Sequence, residues 1–223
     1  MTWDEQWADV DTIQKWLRPD PKIVGLARRL KPVGFKRAFD LGCGVGRHVV
    51  LLAKERYEVY ASDSSEPAIN YCREWLNREG LSATVTKMDM TALPYPDGFF
   101  DLIVAYNIIY HTTFTGMVSV VDLIRRKLRS GGYFFVTLKS TEEWVFGRGV
   151  EIERNTFLRP KKGVPVHFST EEEIGVLFKH FNLVSSEYLN YVNQRTQKRH
   201  AFWEIVLRKP DELSPSSGQP ASA

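Results

Sequence analysis

The fold of the chain is decided by the stretch Asp40-Leu41-Gly42-Cys43-Gly44-Val45-Gly46. Residues 37–41 before the glycines read as a short apolar strand, and Val49, Leu52 and Ala53 after them mark the buried side of a helix. Glycines at such a junction let the backbone turn tightly and leave its N–H groups open to a ligand. The stretch therefore predicts a strand-turn-helix unit that binds a ligand with charged groups or hydroxyls.

The same alternation of strand and helix patterns continues along the chain. We predict further strands at residues 58–62, 83–86, 100–105, 133–138, 181–188 and 201–207. We predict helices at residues 66–79, from 117 to the glycines at 131 and 132, and at 171–179, capped by Ser169 or Thr170. This order predicts an α/β fold: a Rossmann-like, doubly wound, seven-stranded sheet, mostly parallel with an antiparallel last strand, and helices on both faces.

The domain organisation follows from length and composition. A chain of 223 residues with 43% hydrophobic residues fits one domain, which we place at residues 1–210. Residues 1–32 read as an N-terminal helical cap divided by Pro19 and Pro21. Residues 140–168 carry more charge and weaker periodicity, so we expect an excursion over the carboxyl edge of the sheet. The tail 211–223, rich in Ser, Pro, Gly and Ala, is expected to be disordered.

Charge and cysteine content narrow the class of protein. The net charge of +3 is too small to indicate a nucleic-acid partner by itself. The chain has no apolar run near the roughly 20 residues of a membrane helix, and its first residues do not resemble a secretory signal. Cys43 and Cys72 form neither a metal-binding nor a disulfide pattern. We therefore expect a cytoplasmic protein with no membrane partner and no metal site.

An acidic residue after the second strand indicates what the glycine turn binds. Asp63 lies about 20 residues after the turn, where nucleotide-binding α/β folds place a carboxylate that accepts hydrogen bonds from ribose hydroxyls. The dinucleotide fingerprint Gly-x-Gly-x-x-Gly fails, because its third glycine would fall on Arg47 or on Val49. The ligand is thus expected to contain a ribose without being a dinucleotide.

The pattern Gly-x-Gly-x-Gly, with Asp40 two residues ahead, resembles motif I of class I S-adenosylmethionine-dependent methyltransferases. The resemblance spans residues 35–209. Residues 99–103 resemble the family's fourth strand, and residues 127–132 resemble its Leu-Lys-Pro-Gly-Gly helix end, with Ser130 in place of the proline. Residues 164–173 resemble a stretch common in uncharacterised bacterial small-molecule methyltransferases.

The resemblance implies S-adenosylmethionine as the cofactor and S-adenosylhomocysteine as the product. Asp63 matches the family's ribose-binding acid, and Asp89 matches the acid that receives the adenine amino group. The residues expected to bind the cofactor are Asp40, Gly42, Cys43, Gly44, Arg47, Asp63, Ser64, Asp89, Met90 and Tyr106. The alternative is that the glycines form only a tight turn in an α/β protein without a ligand.

His111 is the candidate catalytic residue, because it follows the fourth strand at the edge where open α/β sheets bind ligands. Its alternative role is to pack beside the methionine moiety of the cofactor. Asn107-Ile108-Ile109-Tyr110 resembles the Asn-Pro-Pro-Tyr motif of nucleobase amino methyltransferases, but both prolines are absent, so we treat the match as accidental. Neither Cys43, in the turn, nor Cys72, on an apolar helix face, is a credible nucleophile.

The acceptor is expected to be a small molecule methylated at oxygen, nitrogen or sulfur. We predict that Trp3 and Trp7 of the cap form part of the wall of the acceptor site. The excursion is expected to contribute Trp144, Phe146, Arg148, Arg154, His167 and Phe168. A macromolecular acceptor stays open as an alternative, through the basic groups Arg125, Arg126, Lys127 and Arg129, or Arg195, Lys198, Arg199 and His200. A catalytically silent cofactor-binding protein is the third hypothesis. We expect a monomer or homodimer.

Overall fold

The described part of the protein contains ten strands. The computed structural model describes residues 2–159 and 163–211 of the chain. The strands are β1 (Arg37–Leu41), β2 (Glu58–Asp63), β3 (Thr84–Lys87), β4 (Phe100–Ala105), β5 (Leu128–Lys139), β6 (Val150–Glu153), β7 (Thr156–Leu158), β8 (Pro165–His167), β9 (Asn182–Asn193) and β10 (Lys198–Arg208).

Seven of these strands form the main sheet, in the order β3-β2-β1-β4-β5-β10-β9. The neighbours from β3 to β5 are parallel, whereas β10 runs antiparallel to both β5 and β9. The predicted seven-stranded, doubly wound sheet with an antiparallel last strand is therefore confirmed. The direction in which the strand order grows reverses between β1 and β4, and ligands of open α/β folds bind at such a switch point.

Helices cover both faces of the sheet. They are α1 (Trp3–Trp7), α2 (Val10–Lys15), α3 (Pro21–Leu30), α4 (Arg47–Lys54), α5 (Glu66–Arg78), α6 (Phe114–Lys127) and α7 (Glu171–Leu177). The N-terminal cap thus contains three helices. The break before α3 was predicted, and a second break lies before α2, where Asp9 is the N-cap. Pro21 occupies the first turn of α3, where its missing N–H breaks no hydrogen bond.

The side chains of the central strands alternate between two hydrophobic cores, as strand geometry requires. Phe39 and Ile103 face a core completed by α6 and α7. Ala38 and Leu102 face a second core completed by α3, α4 and α5. Because the central strands are buried on both faces, their register is fixed, and with it the position of every residue at the carboxyl edge.

The predicted excursion at residues 140–168 contains a small sheet of its own. Strands β6, β7 and β8 pair antiparallel in the order β6-β7-β8. Hydrogen bonds join its end to the main sheet: the His167 N–H donates to the Tyr110 carbonyl at 2.9 Å, and the Ser169 N–H donates to the Lys139 carbonyl at 2.8 Å. The excursion is therefore anchored beside the ends of β4 and β5.

One local prediction is wrong, and the structure decides between the alternatives of another. Helix α6 ends at Lys127, and Gly131 and Gly132 lie inside β5 instead of capping the helix, because Leu128 already has extended backbone angles. Helix α7 is capped by Thr170 in a capping box with Glu173, whereas Ser169 forms a bridge to Ser140. In both places more than one residue could cap the helix, and backbone pairing of the neighbouring residues with a strand determined which residue ends or begins it.

Two sequence predictions concern the ends of the chain and its hydropathy. Of the predicted disordered tail, only Asp211 belongs to the described residues, so 212–223 lie outside them. Among the helices that the structure describes, none is long and apolar enough to cross a membrane.

The close packing of α4 against α5 generates a stability prediction. Gly46 has φ of +93°, and a Cβ there would lie 2.3 Å from the Cys72 Sγ. We expect Gly46→Ala to lower the free energy of unfolding by about 2–3 kcal/mol, from overpacking and backbone strain. The control Gly25→Ala lies on the exposed side of α3 with nothing within 4 Å, and it should stabilise by about 0.5–1 kcal/mol. Urea unfolding measures both changes, and equal stability of the two variants would contradict the packing.

Candidate active site

A cavity of about 700 Å³ lies at the carboxyl ends of the parallel strands. Its wall includes residues directly after β1, β2 and β4, namely Gly42, Ser64 and Tyr106, and the last residue of β5, Lys139. The volume falls in the range of about 300–1,000 Å³ that small-molecule sites occupy. The cavity thus sits at the switch point of the sheet, where the fold predicts a ligand.

The glycine turn forms one wall of this cavity. Gly44 has φ of +53°, and a Cβ there would lie 2.9 Å from the Trp7 ring. The indole of Trp7 therefore covers bare backbone. Gly42 and Cys43 line the cavity beside it. A hydrogen bond with Cys72, together with burial, raises the pKa of the Cys43 thiol, which keeps it protonated and supports the prediction that it is not a nucleophile.

Asp63 connects the end of β2 to this turn. Its Oδ2 accepts a hydrogen bond from the Gly44 N–H at 2.8 Å, and its Oδ1 accepts one from the Ser65 N–H at 2.9 Å. Burial raises the pKa of the carboxyl group, and the backbone amides oppose that rise. A carboxylate has about four lone-pair positions, so two backbone donors leave room for two ribose hydroxyls.

Asp40 is a predicted cofactor-binding residue that does not line the described part of the cavity. Its side chain is 1% exposed behind the turn, and its Oδ2 has no hydrogen-bond partner among the described residues. Burial raises the pKa of Asp40 to about 8, against the attraction of Arg47. The side chain is thus buried at the end of β1 and is not among the residues that line the described cavity, and its contact with the cofactor stays a prediction.

The other predicted cofactor-binding residues line the cavity. The guanidinium of Arg47 lies 4.4 Å from the ring centroid of Tyr106 and 4.8 Å from that of Trp16. Burial raises the pKa of Tyr106 to about 12, so its hydroxyl keeps its proton. Asp89 accepts hydrogen bonds from the backbone and hydroxyl of Thr91. The cavity is also lined by Ser64 and Met90.

His111 reaches the cavity through a turn after β4. Asn107, at the start of that turn, has φ of +58° and donates its N–H to the Thr137 hydroxyl at 2.8 Å. The His111 ring packs edge-on against Trp3, with ring centroids 4.8 Å apart. Tyr110 is 3% exposed and also lines the cavity, so the interpretation of Asn107–Tyr110 as an accidental match stays a prediction.

The predicted acceptor wall is correct in part. Trp3, Trp7 and Trp144 line the cavity, but the remaining members do not line its described wall. Phe146 and Phe168 pack against each other and Phe157 in the core of the excursion. His167 is buried beside Thr156, whose hydroxyl lies 2.8 Å from the His167 Nδ1. Arg148 lies over the outer ring of Trp144 at 4.4 Å, and Arg154 is exposed. Aromatic content alone did not separate lining residues from packing residues.

Several residues that line the cavity were not predicted from the sequence as part of an acceptor site. They are Lys139, Glu143, Arg159, Tyr191, His200 and Phe202. Lys139 follows the predicted fifth strand, so the rule that identified His111 also identifies it. His200, counted only in a basic group, pairs with Tyr191 across β9 and β10, and this register was not predicted.

A buried carboxylate and an imidazole face each other in this missed set. Glu143 is 4% exposed; its Oε2 accepts the Ala201 N–H at 2.8 Å, and its Oε1 lies 3.4 Å from the His200 Nδ1. Such a contact favours the tautomer with the proton on Nδ1, which leaves the His200 Nε2 as an acceptor. The pair orients an imidazole in the wall of the cavity.

Comparisons with known proteins agree with this geometry. A family described as "Methyltransferase domain" matches residues 38–132. The demethylmenaquinone methyltransferase of Thermus thermophilus is 35% identical over 92 residues, which cover 40% of this chain and 39% of that protein. Residues 38–132 of the chain therefore match a methyltransferase domain, in agreement with the resemblance of the glycine turn to motif I. The chain matches only about two fifths of the length of that curated relative.

Solved structures of other methyltransferases share the fold. A SAM-dependent methyltransferase from Methanosarcina mazei superposes with a TM-score of 0.71 at 20% identity, covering 88% of this chain and all of the other. The 1,6-didemethyltoxoflavin-N1-methyltransferase of Burkholderia thailandensis, solved with 1,6-didemethyltoxoflavin and S-adenosylhomocysteine, has a TM-score of 0.67 at 19% identity, covering 93% and 85% of the chains. The shared architecture confirms the predicted fold class, and the family match over residues 38–132 agrees with the predicted enzyme class and cofactor.

The residues of the site fit S-adenosylmethionine, the cofactor that the resemblance implies. The turn residues Gly42, Cys43 and Gly44 line the cavity, and Asp63 keeps lone pairs free for hydroxyls beside them. The helix α4 begins directly after the turn, so its N-terminal dipole favours a carboxylate such as that of the methionine moiety. Among the described residues, no group of three or more His, Cys, Asp or Glu is arranged to hold a metal ion.

The two hydrogen bonds of Asp63 generate a binding prediction. We expect Asp63→Ala to weaken S-adenosylhomocysteine binding at least tenfold, because the variant loses the expected hydrogen bonds from the ribose hydroxyls to the carboxylate. Charge-assisted hydrogen bonds of this kind contribute about 1.5–3 kcal/mol each. Calorimetry measures the affinity, and circular dichroism checks the fold. Asp122→Ala, on the exposed side of α6, is the matched control. Unchanged affinity in a folded Asp63→Ala protein would remove Asp63 from the site.

The buried Asp40 generates a prediction about pH. Its folded pKa of about 8 lies above the ordinary value of 3.8, so its contribution to stability is complete below about pH 4 and is lost as the pH rises towards 8. Asp40→Asn removes this titration. We therefore expect the unfolding free energy of the variant, relative to wild type, to increase steadily from pH 5 to pH 8. Denaturant titrations at several pH values measure it, and a pH-independent difference would contradict the raised pKa.

Proposed function

We propose that this methyltransferase transfers a methyl group to a small-molecule acceptor at an oxygen, nitrogen or sulfur atom. The observation that carries the proposal is the shape of the site: nine of the ten predicted cofactor residues, all except Asp40, and the predicted catalytic residue His111 share one cavity of about 700 Å³. Trp3 and Trp7 of α1 line it beside the glycine turn, and Trp144 of the excursion lines it as well. A cavity of this size suits a cofactor and a compact acceptor together.

The chain's own residues bind, orient and exclude water. When bound, S-adenosylmethionine supplies a methyl group already activated by its sulfonium. Gly42, Gly44 and Asp63 would hold the adenosyl end of the cofactor. The indoles of Trp3 and Trp7 line the same cavity and would exclude water from it. Holding reactants in line is worth effective concentrations of roughly 10⁵ M or more, so positioning is the main contribution of the protein.

His111 is our proposal for the base that removes a proton from the acceptor. It lines the cavity after β4, and its ring is held by the edge-on contact with Trp3. A neutral imidazole has an acceptor nitrogen, and its ordinary pKa near 6.5 suits proton transfer close to neutral pH. A base is needed only when the acceptor atom arrives protonated.

The alternative of a macromolecular acceptor receives less support from the surface charges. Lys127 and Arg129 are paired with Asp97 and Asp101, and Arg199 is paired with Glu142. Cations already paired with carboxylates contribute less to a phosphate-binding face. The silent cofactor-binding protein, the cytoplasmic location and the monomer or homodimer stay predictions.

Transfer from labelled cofactor tests the proposal. The protein is incubated with methyl-labelled S-adenosylmethionine and a cell extract separated into metabolite, protein and RNA fractions. We expect label to appear in the metabolite fraction alone. Label in protein or RNA would support the macromolecular alternative, and cofactor binding without any transfer would support the silent protein.

The role of His111 is tested in the same assay. We expect His111→Ala to lower the transfer rate by about 10²–10⁴-fold, the usual contribution of general base catalysis. S-Adenosylhomocysteine binding should change little. His180→Ala, on an exposed surface away from the cavity, is the control. Transfer close to the wild-type rate would exclude His111 as the base.

A further inference from the structure

Two cations in the cavity wall meet no carboxylate. Lys139 and Arg159 both line the cavity. Within residues 2–159 and 163–211, neither side chain has an ion-pair partner within 4 Å or a side-chain hydrogen bond. The Lys139 Nζ instead lies 5.3 Å from the ring centroid of Tyr110. A cation that is partly removed from water without a partner is costly, so a ligand that supplies an anion is favoured there.

Strand order separates this pair from the cofactor end. Asp63 ends β2, whereas Lys139 ends β5 and pairs with Phe202 of β10. β1 and β4 lie between β2 and β5 in the sheet. His200 and Tyr191 face each other on the next two strands, at the same edge. The cavity therefore has an acidic half over β2 and β1 and a basic half over β5, β10 and β9.

The nearest carboxylate in the basic half does not neutralise it. Glu143 already accepts the Ala201 N–H and lies beside the His200 ring. Burial lowers the pKa of Lys139, the charge of Arg159 lowers it further, and Glu143 opposes both effects. Two cations against one carboxylate leave a net positive charge in this half, even with His200 neutral.

Aromatic side chains line the same half. Trp144, Tyr191 and Phe202 line the cavity together with the two cations. Aromatic walls favour a flat ligand body, and the planar fork of an arginine matches a carboxylate with two parallel hydrogen bonds. The combination selects for a flat acid.

We propose that the methyl acceptor is a flat, carboxylate-bearing small molecule whose carboxylate binds between Lys139 and Arg159. This inference rests on the proposed function, because it assigns the acceptor class of that site. The carboxylate is the anchor, and the methylated atom lies elsewhere in the molecule, towards His111 and the cofactor end.

Matched acids and amides test the anchor. The probes are benzoate, 4-hydroxybenzoate, 1-naphthoate and indole-3-carboxylate, each paired with its neutral primary amide. Binding to the full chain is measured by ligand-observed NMR, with and without saturating S-adenosylhomocysteine. We expect at least one acid to bind at least tenfold more tightly than its amide. Lys139→Met and Arg159→Met should each reduce that preference to less than threefold.

A control variant tests whether the preference for acids depends on cations in the cavity or on any loss of positive charge at the surface. Lys54→Met removes an exposed cation of α4 that is paired with Glu79, and it should leave the preference for acids unchanged. Both cavity variants should keep wild-type affinity for S-adenosylhomocysteine, which shows that they are folded and that the cofactor end is intact.

Three results would overturn the inference: no acid preferred over its amide, no probe bound at all, or a preference that survives in both cavity variants. Because S-adenosylhomocysteine binding is measured separately, the two proposals fail in different ways. Cofactor binding without acid preference overturns only the acceptor class. Acid preference without cofactor binding overturns the proposed function, but the assignment of an anion-binding site at Lys139 and Arg159 would still hold.

Discussion

The hydrogen bond from the Gly44 N–H to Asp63 is the contact on which the site depends. It ties the turn after β1 to the end of β2, so two neighbouring strands hold one ligand surface. The register of β1 and β2 is fixed by cores on both faces of the sheet, which prevents either end from shifting alone. Asp40, buried near the end of β1, leads directly into the same turn. Rigid strands thereby place a carboxylate beside bare backbone, and this is the arrangement that a ribose requires.

A second consequence of the strand order is the division of charge along the cavity. The acids Asp63 and Asp89 lie at the cofactor end, whereas Lys139 and Arg159 lie in the wall at the other end. A positively charged cofactor is attracted by the first set and an acid by the second, so each ligand is directed to its own half. The sheet therefore determines both the geometry of the site and the charge of the ligand that each half of the cavity attracts.

The parts of the structure that sequence predicts are those with a local cause. Strand β4 begins and ends where the apolar run 100–105 does, and Asp63 was found because the β2 strand leads directly to it. The acceptor half was missed because its residues meet only through long-range pairing: His200 faces Tyr191 across β9 and β10, and Glu143 reaches the Ala201 backbone. The glycines at 131 and 132 misled in the same way, since pairing of β5 with β4 overrode their tendency to end a helix.

A crystal structure of the complex with S-adenosylhomocysteine tests the central claim most directly. The account predicts electron density for the ligand along the glycine turn, with both ribose hydroxyls within hydrogen-bonding distance of the Asp63 carboxylate and the thioether directed towards His111. A ligand bound elsewhere, or one whose ribose makes no contact with Asp63, would contradict it.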